Sequence, residues 1–334
     1  MKTSYKISKM KTITAIFSLI ILLNVQNLFA QTSSVTAAFV DVGVGARPAS
    51  MGGAFVGLAD DINSVLWNPA GLTNISEKQA SFSSAKVFGL INYSMLTFGM
   101  PMNAGDELHQ GLGASLLYSG DDALREMTIT AGYARIVGPV SLGANLKYRY
   151  ASFGKNTLNR DDYTAFSDEE FQQGVLDQVK GKANGFGLDL GLLYQFSNEI
   201  RMGLMLRDIL APVSWNSSTL SKKADGKYTE SVPFETVVGT SYKVFDELMI
   251  TADYQPSMHK DVDNIIRGGA ELRLFKFLYV RAGLQNIINN INDEKYVIGF
   301  GFKFGISKSK IGLDYTYLNE RIANSSRITL SFSF

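Results

Sequence analysis

The sequence has no cysteine and only two histidines, His109 and His259. Without cysteine the chain forms neither a disulfide nor a thiolate metal site. Around His259, Ser257 and Asp261 share one loop, but no oxyanion-stabilising or orienting group accompanies them. Asp261 and Asp263 lack the glycine and distal glutamate of a calcium loop. The sequence therefore predicts no enzyme, no metal site and no cofactor.

An excess of charge of one sign is also missing. The 32 lysines and arginines balance 31 aspartates and glutamates, which leaves a formal net charge of +1. This balance gives no electrostatic footprint for nucleic acid, so no nucleic-acid partner is predicted. After residue 30 no apolar run reaches the ~20 residues of a membrane helix. An exported soluble protein and a membrane β-barrel both remain open.

Residues 1–30 have the pattern of a secretory signal peptide. Four lysines precede an apolar core at 13–25, and Leu28-Phe29-Ala30 before Gln31 forms an acceptable cleavage site. The core is shorter than the ~20 residues of a membrane anchor. We therefore expect export and a mature chain that begins near Gln31.

Beyond residue 76 the apolar residues alternate with polar ones. In one example Leu142, Ala144 and Leu146 alternate with Asn145 and Lys147. This period of two is typical of strands with one apolar face. About 14 segments approach the ~10 residues that a tilted membrane strand needs. They span 77–88, 91–101, 110–119, 125–137, 140–153, 184–197, 200–209, 232–245, 248–256, 264–275, 278–286, 295–306, 310–319 and 325–334.

The connections favour a membrane barrel over a soluble sandwich. Tight turns such as 138–139 and 246–247 alternate with longer loops such as 154–183 and 210–231. Outer-membrane barrels have short turns on the periplasmic side and longer loops outside. Lipid also forbids an open sheet edge, so the sheet must close. We predict an all-β fold, a transmembrane antiparallel β-barrel of about 14 strands formed by residues 76–334.

Residues 31–75 differ from the strands. The stretch 39–72 is dense in glycine, and Arg47-Pro48 and Asn68-Pro69 interrupt any long helix. Such a compact segment, rich in small residues, suits a space that another part of the chain encloses.

The same stretch resembles the N-terminal signature of the PorV/PorQ family of outer-membrane barrels, which are related to FadL-type transporters. The residues that carry the resemblance are Arg47, Met51, Gly52, Gly53, Asp60, Asp61, Trp67, Asn68, Pro69 and Gly71. The resemblance implies an N-terminal hatch inside the barrel, outer-membrane localisation and a non-enzymatic role in type IX protein secretion. Its partners would be translocon components or secreted cargo. The alternative is a FadL-like channel for hydrophobic compounds such as long-chain fatty acids, in which Phe39, Phe55, Leu58 and Trp67 could line an apolar pocket.

Two further groups of residues are candidates for a functional role. Charged residues on the polar strand faces are expected to point into the lumen, where they either pair across strands or contact the hatch: Lys147, Arg149, Asp253, Arg267, Glu271, Arg273 and Asp314. A short amphipathic helix is predicted within the loop 156–181, with a capping box at Ser167 and Glu170. The outer-loop candidates for partner binding are Phe171, Val175, Val179 and Trp215. Trp215 is equally well explained as an aromatic residue at the membrane interface. Outer-membrane lipid is the remaining predicted partner.

Overall fold

The computed structural model describes residues 43–102, 110–121, 123–154, 169–221, 224–257, 264–288, 294–321 and 323–334. The predicted signal peptide, Phe39, both histidines and Ser167 lie outside these residues. Among the described residues, no helix is long and apolar enough to cross a membrane.

The described helices are short and the strands dominate. Helix α1 spans Ala46–Ser50, α2 spans Ser64–Trp67, a 3₁₀ helix spans Pro69–Asn74, and α3 spans Glu169–Leu176. The strands are β1 Gln79–Val87, β2 Ile91–Met102, β3 Gln110–Gly120, β4 Leu124–Val137, β5 Val140–Phe153, β6 Val179–Gln195, β7 Ile200–Leu210, β8 Pro212–Thr219, β9 Asp225–Ser231, β10 Glu235–Phe245, β11 Leu248–Gln255, β12 Ile265–Arg273, β13 Leu278–Ile287, β14 Lys295–Ile306, β15 Ser309–Asn319 and β16 Ser325–Ser333.

The sheet closes on itself. All strand pairs are antiparallel, β1 pairs with β16, and β5 pairs with β6. Strand β10 pairs with β7, so β8 and β9 stand outside the ring, which contains 14 strands. The predicted closed barrel of 14 strands is confirmed.

Strands β8 and β9 form a hairpin within residues 210–231, which were predicted to be a loop. Strand β8 pairs with the first half of β6, and β9 pairs with β8. The register between β6 and β7 shifts next to Leu188, and Asp208 there has a left-handed φ of 56°. Two short, mostly polar strands give little alternation signal, so the sequence pattern missed them.

The two ends of the barrel differ. One end carries the tight turns 138–139, 196–199, 246–247, 274–277 and 307–308, and we call it the short-turn end. The other carries the β8–β9 hairpin and the segments 154–178, 256–264 and 288–294, and we call it the long-loop end.

The outer surface is apolar and the inner surface is polar. Leu142 and Leu146 are 43% and 66% exposed, whereas Asn145 and Lys147 between and beside them are buried. Near the short-turn end Phe275, Phe277, Phe302 and Phe304 form a series of stacked, exposed rings. An apolar exterior edged by aromatic rings is the surface expected of a barrel in a lipid bilayer.

Candidate functional site: the hatch and the lumen

Residues 43–75, which we call the hatch, lie inside the barrel. Helix α1 contacts β13 to β16, and the 3₁₀ helix contacts β2 to β6 on the opposite side. Between them, Phe55 and Gly57 bond to β11 and β10. The hatch therefore reaches the wall all the way round.

Glycines in the wall allow the hatch backbone to come this close. A Cβ added to Gly283 would lie 2.1 Å from the amide nitrogen of Gly52, and one on Gly143 would lie 2.3 Å from that of Ala70. Similarly close contacts occur at Gly99, Gly111, Gly113, Gly191, Gly203, Gly239, Gly269 and Gly299. Glycine in a strand often marks a close backbone approach. Glycines at inward-facing strand positions were therefore the sequence signal that could have revealed the interface between the wall and the hatch.

Polar wall side chains hold the hatch backbone. The carboxylate oxygen Oδ2 of Asp253 accepts hydrogen bonds from the amides of Phe55 and Val56, both at 2.9 Å. Asn145 donates to the carbonyl of Val65 at 2.7 Å. Buried backbone groups need hydrogen-bond partners, and a short irregular segment cannot pair all of its own. These wall side chains supply the missing hydrogen bonds. Sequence reasoning placed Asp253 in the lumen but missed this role.

Arg47 is the charged link between hatch and wall. Its guanidinium lies 2.6 Å from Asp60, 2.7 Å from Asp61 and 2.8 Å from Glu271 on β12. Glu271 also pairs with Arg281 at 2.6 Å. Burial alone would lower the pKa of Arg47, but the three carboxylates hold that pKa well above its usual range. The guanidinium therefore stays charged and forms ion pairs both within the hatch and with the wall.

The ion pairs continue along the wall from this link. Arg281 pairs with Asp314 on β15 at 2.6 Å. Asp60 and Asp61 pair with the hatch's own Arg47 rather than with one of the predicted wall cations. One chain of ion pairs thus joins the hatch to three strands of the wall, β12, β13 and β15.

A second buried ion cluster lies where the β6–β7 register shifts. Lys147 is 2.8 Å from Asp189 and 3.2 Å from Asp208, and Arg149 is 2.6 Å from Asp208. The backbone amide of Asp208 donates to Asp189 at 2.9 Å. In this cluster the charged side chains of the lumen pair with one another across strands and not with the hatch.

The two remaining predicted lumen charges lie apart from these clusters. Arg267 donates to Gln255 at 2.7 Å near the long-loop end of the lumen. Arg273 lies at the short-turn rim, where its side chain is 39% exposed and faces Glu247 at 3.5 Å. Arg273 therefore contributes to a surface pair, not to the interior.

The other motif residues shape the hatch itself. Asn68 accepts from the amide of Ala70 and caps the 3₁₀ helix that begins at Pro69, while its amide group donates to the carbonyls of Val56 and Leu192. Gly52 and Gly53 have left-handed φ values of 67° and 78°, which favour glycine. A Cβ on Gly71 would lie 2.2 Å from the carbonyl oxygen of Ala59.

A cavity of about 350 Å³ extends from the hatch towards the long-loop end. Trp67 lies at the hatch side of the cavity, and its indole N–H donates to Val44 at 3.2 Å. Phe55 and Leu58 do not line this space, because they are fully buried against Met51 within the hatch. The cavity wall mixes apolar residues such as Val237 and Val297 with charged ones such as Arg207 and Lys295. The lining of the cavity is therefore mixed polar and apolar, not purely apolar as expected. Phe55 and Leu58, which were predicted to line it, belong to the core of the hatch.

The predicted outer-loop surface is not formed as expected. Trp215 is only 7% exposed, because it packs between Phe153 and Tyr228 and donates its indole N–H to Glu230. Val175 is also buried, at 3% exposure.

The predicted helix in loop 156–181 is present as α3, but it ends at Leu176. Val179 is therefore the first residue of β6 and does not share a helical face with Val175. The side chain of Phe171 lies outside the described part of the chain. Across the described residues, no group of three or more acidic or histidine side chains is placed to hold a metal ion.

A closed barrel of 14 antiparallel strands, filled by an N-terminal hatch with a cavity above it, defines the FadL-like fold. Solved structures agree. The "CymD monoaromatic hydrocarbon channel" has a TM-score of 0.56 and 18% identity over 89% of this chain and 98% of its own. The "Ralstonia pickettii toluene transporter TbuX" has a TM-score of 0.55 and 15% identity over 87% and 97%. A Pseudomonas aeruginosa FadL homologue has a TM-score of 0.53 and 12% identity over 84% and 97%.

The family assignment comes from the sequence. A family model described as "F plasmid transfer operon, TraF, protein" matches residues 74–255, more than half of the chain, and the chain belongs to this family. No curated protein matches the sequence.

Proposed function

We propose that this protein is a non-enzymatic outer-membrane channel that takes up a small hydrophobic compound carrying a polar group. The observation that carries the proposal is the cavity of about 350 Å³ above a hatch that fills the barrel. In this proposal residues 1–30 direct export, the short-turn end faces the periplasm, and the long-loop end faces outside. A ligand would enter from the long-loop end and pass only when the hatch moves.

The size and lining of the cavity support this ligand class. Binding cavities for small molecules usually have volumes of about 300–1,000 Å³ and combine apolar walls with a few polar groups. Here Trp67, Val237 and Val297 offer apolar contact, and Lys295 pairs with Glu320 at 2.8 Å across the wall. A purely hydrocarbon ligand would displace water from these ion pairs without replacing its hydrogen bonds, so a ligand with a polar group is favoured.

Replacing Trp67 with alanine tests the channel. We expect uptake of a radiolabelled long-chain fatty acid by cells that carry the barrel to fall about tenfold, since the apolar contact of one large side chain contributes roughly 1.5 kcal/mol. The chain has only one other tryptophan, which gives a matched control. Trp215→Ala changes the β8–β9 hairpin and leaves the cavity intact, so uptake should be unchanged. Equal uptake by wild type and Trp67→Ala would count against the channel.

A second candidate function follows from the resemblance to the PorV/PorQ family. In it, the barrel docks translocon components or cargo of type IX secretion at the long-loop end. The β8–β9 hairpin favours this candidate, because it stands outside the 14-strand ring and packs Trp215 and Val213 against Ala183 of β6 in a small apolar core.

Replacing residues 212–231 by a short turn separates the two candidates. The ring should still close, because β8 and β9 pair only with each other and with the extension of β6. A docking role predicts loss of type IX substrates from the medium, with fatty-acid uptake unchanged. Normal secretion by this variant would exclude the hairpin as the docking surface.

A further inference from the structure

Three exposed lysines lie close together on the outer face of the sheet at the long-loop end. On β6 the even-numbered residues point outwards, since Phe186 and Leu190 are 66% and 42% exposed whereas Asp189 between them is buried. Lys180 and Lys182 continue this outward line beyond Phe186, and both are exposed. They therefore stand on the same surface as the lipid-facing residues of the barrel.

The register of the β8–β9 hairpin brings the third lysine onto this face. Lys182 is the register partner of Asn216, and Asn216 is the register partner of the exposed Lys227. Residues directly opposite each other in an antiparallel pair point to the same face. Because neighbouring strands lie about 4.8 Å apart, Lys182 and Lys227 are about 10 Å apart with Asn216 between them. We call Lys180, Lys182 and Lys227 the lysine face.

Neutral hydrogen-bonding side chains surround these lysines. One row further from the barrel, Lys180 is the register partner of Ser218, and Ser218 is the register partner of Asp225. One row nearer the barrel, the hydroxyls of Ser214 and Thr229 bond to each other at 3.1 Å. Asp225 is the single acidic side chain in these rows, so the surface keeps a net positive charge.

The lysine face lacks the acidic partners that exposed lysines have elsewhere in the barrel. At the short-turn end, Lys243 pairs with Asp246 at 3.2 Å and Lys310 with Glu77 at 2.8 Å. Within the described part of the chain, none of the three lysines of the face forms a salt bridge or a side-chain hydrogen bond. Three positive charges held about 7–10 Å apart repel each other, so an anion brought among them is favoured.

The lysine face lies at the depth of the lipid head groups. The rings of Phe186 and Tyr148 are 5.6 Å apart, and the hydroxyl of Tyr148 donates to Asn184 at 2.8 Å. Aromatic residues of this kind mark the membrane interface. Lys182 is two residues beyond Asn184, about 7 Å along the strand, and a strand tilt of about 40° reduces this to about 5 Å along the bilayer normal. The head-group layer is about 5–7 Å thick on each side of a bilayer.

We propose that the lysine face binds a phosphorylated glycolipid of the outer leaflet. Lysines bind phosphate groups as point charges. Asn216 and Ser218, which lie beside the lysines, suit the hydroxyl groups of the sugar that carries the phosphates, and Phe186 below them suits the acyl chains. The site rests on the orientation given in the proposed function, with the long-loop end outside, and it is independent of the uptake of a ligand through the lumen.

Native mass spectrometry of the full barrel in detergent, titrated with lipid A, tests the proposal. Lipid A is an acylated disaccharide with two phosphate groups, and the same lipid without its phosphates is the second probe. The test variant combines Lys180→Gln, Lys182→Gln and Lys227→Gln. It should bind lipid A about 100-fold more weakly than wild type, since each basic group near an anionic membrane surface contributes about fivefold.

Two further variants sharpen the test. Lys86→Gln is the matched control, because Lys86 is an exposed, outward-facing lysine on β1 and lies outside the lysine face. Its affinity for lipid A should equal that of wild type. Asp225→Asn should strengthen binding, because it removes the negative charge beside Lys180. Heat-modified gel migration reports whether each variant is folded, and Lys182→Gln alone, with a loss of about fivefold, replaces the triple variant if the latter fails to fold.

Binding that weakens in the lysine variants and on removal of the phosphates, but not in Lys86→Gln, supports the site. Equal affinity of wild type and the lysine variants overturns it, as does equal affinity for lipid A with and without phosphates. Binding of phosphatidylglycerol as tight as that of lipid A would overturn the assignment to a glycolipid. Complete displacement of lipid A by an equal concentration of inorganic phosphate would show a site for free phosphate and would overturn the assignment to a lipid.

Discussion

Arg47→Ala is expected to turn a closed barrel into an ion-conducting pore. The substitution removes the one group that joins Asp60 and Asp61 of the hatch to Glu271 of the wall. The remaining carboxylates would then repel each other. Breaking a buried ion pair by removing one partner costs about 3–5 kcal/mol, and the lower value applies here because Asp60 is partly exposed. A loss of this size raises the equilibrium constant for displacement of the hatch about 100-fold.

Single-channel recording in planar bilayers measures this change directly. Wild-type protein should show rare openings, and Arg47→Ala should show frequent, large ones. Arg273→Ala serves as the control, because Arg273 lies at the exposed short-turn rim, where it pairs with Glu247 and donates to the carbonyl of Asp246. Such surface pairs contribute about 0–1 kcal/mol. If Arg47→Ala opened as rarely as Arg273→Ala, the ion pairs of Arg47 would not be what holds the hatch in place.

Gly283→Val is expected to displace the hatch by steric conflict. A Cβ at this position would lie 2.1 Å from the Gly52 nitrogen, and the atom it meets is backbone, which cannot rotate away. Overpacking a dense interior typically costs about 1–3 kcal/mol, and a clash with backbone exceeds this range. The wall should still form, since valine favours strands.

Limited proteolysis from the short-turn side, which faces the periplasm in the proposed function, reports on the position of the hatch. Cleavage within residues 43–75 should become much faster in Gly283→Val. Gly305→Val, on β14, is the matched control because a Cβ there meets nothing within 4 Å. Equal cleavage rates in the two variants would show that the glycine contacts do not position the hatch.

The sequence pattern predicted the barrel well because lipid and lumen impose opposite chemistry on alternate residues. Leu146 and Lys147 show this directly, with 66% and 8% exposure. The uneven connections were read from the same sequence, whereas the count of 14 strands was also the number that the resemblance to FadL-type barrels implied. The hairpin β8–β9 was not predicted, because its strands lie outside the ring, where Trp215 is buried by Phe153 rather than by a membrane or a partner.

The hatch was harder to predict in detail. Its motif indicated an enclosed segment, but contacts between residues about 200 positions apart, such as Asp253 with Phe55, leave no local pattern. Phe55 and Leu58 looked suitable for a ligand pocket because apolar residues in a plug and in a binding site have the same composition. Only the fold shows that they face Met51 inside the hatch.

Mass spectrometry of the gently extracted barrel, with its bound lipids and proteins, tests the proposed channel most directly. We expect the barrel to be recovered without a translocon and to carry one amphipathic lipophile, which Trp67→Ala loses and Trp215→Ala retains. Recovery of a large translocon or of secreted proteins with an empty cavity would contradict the channel and favour the docking function.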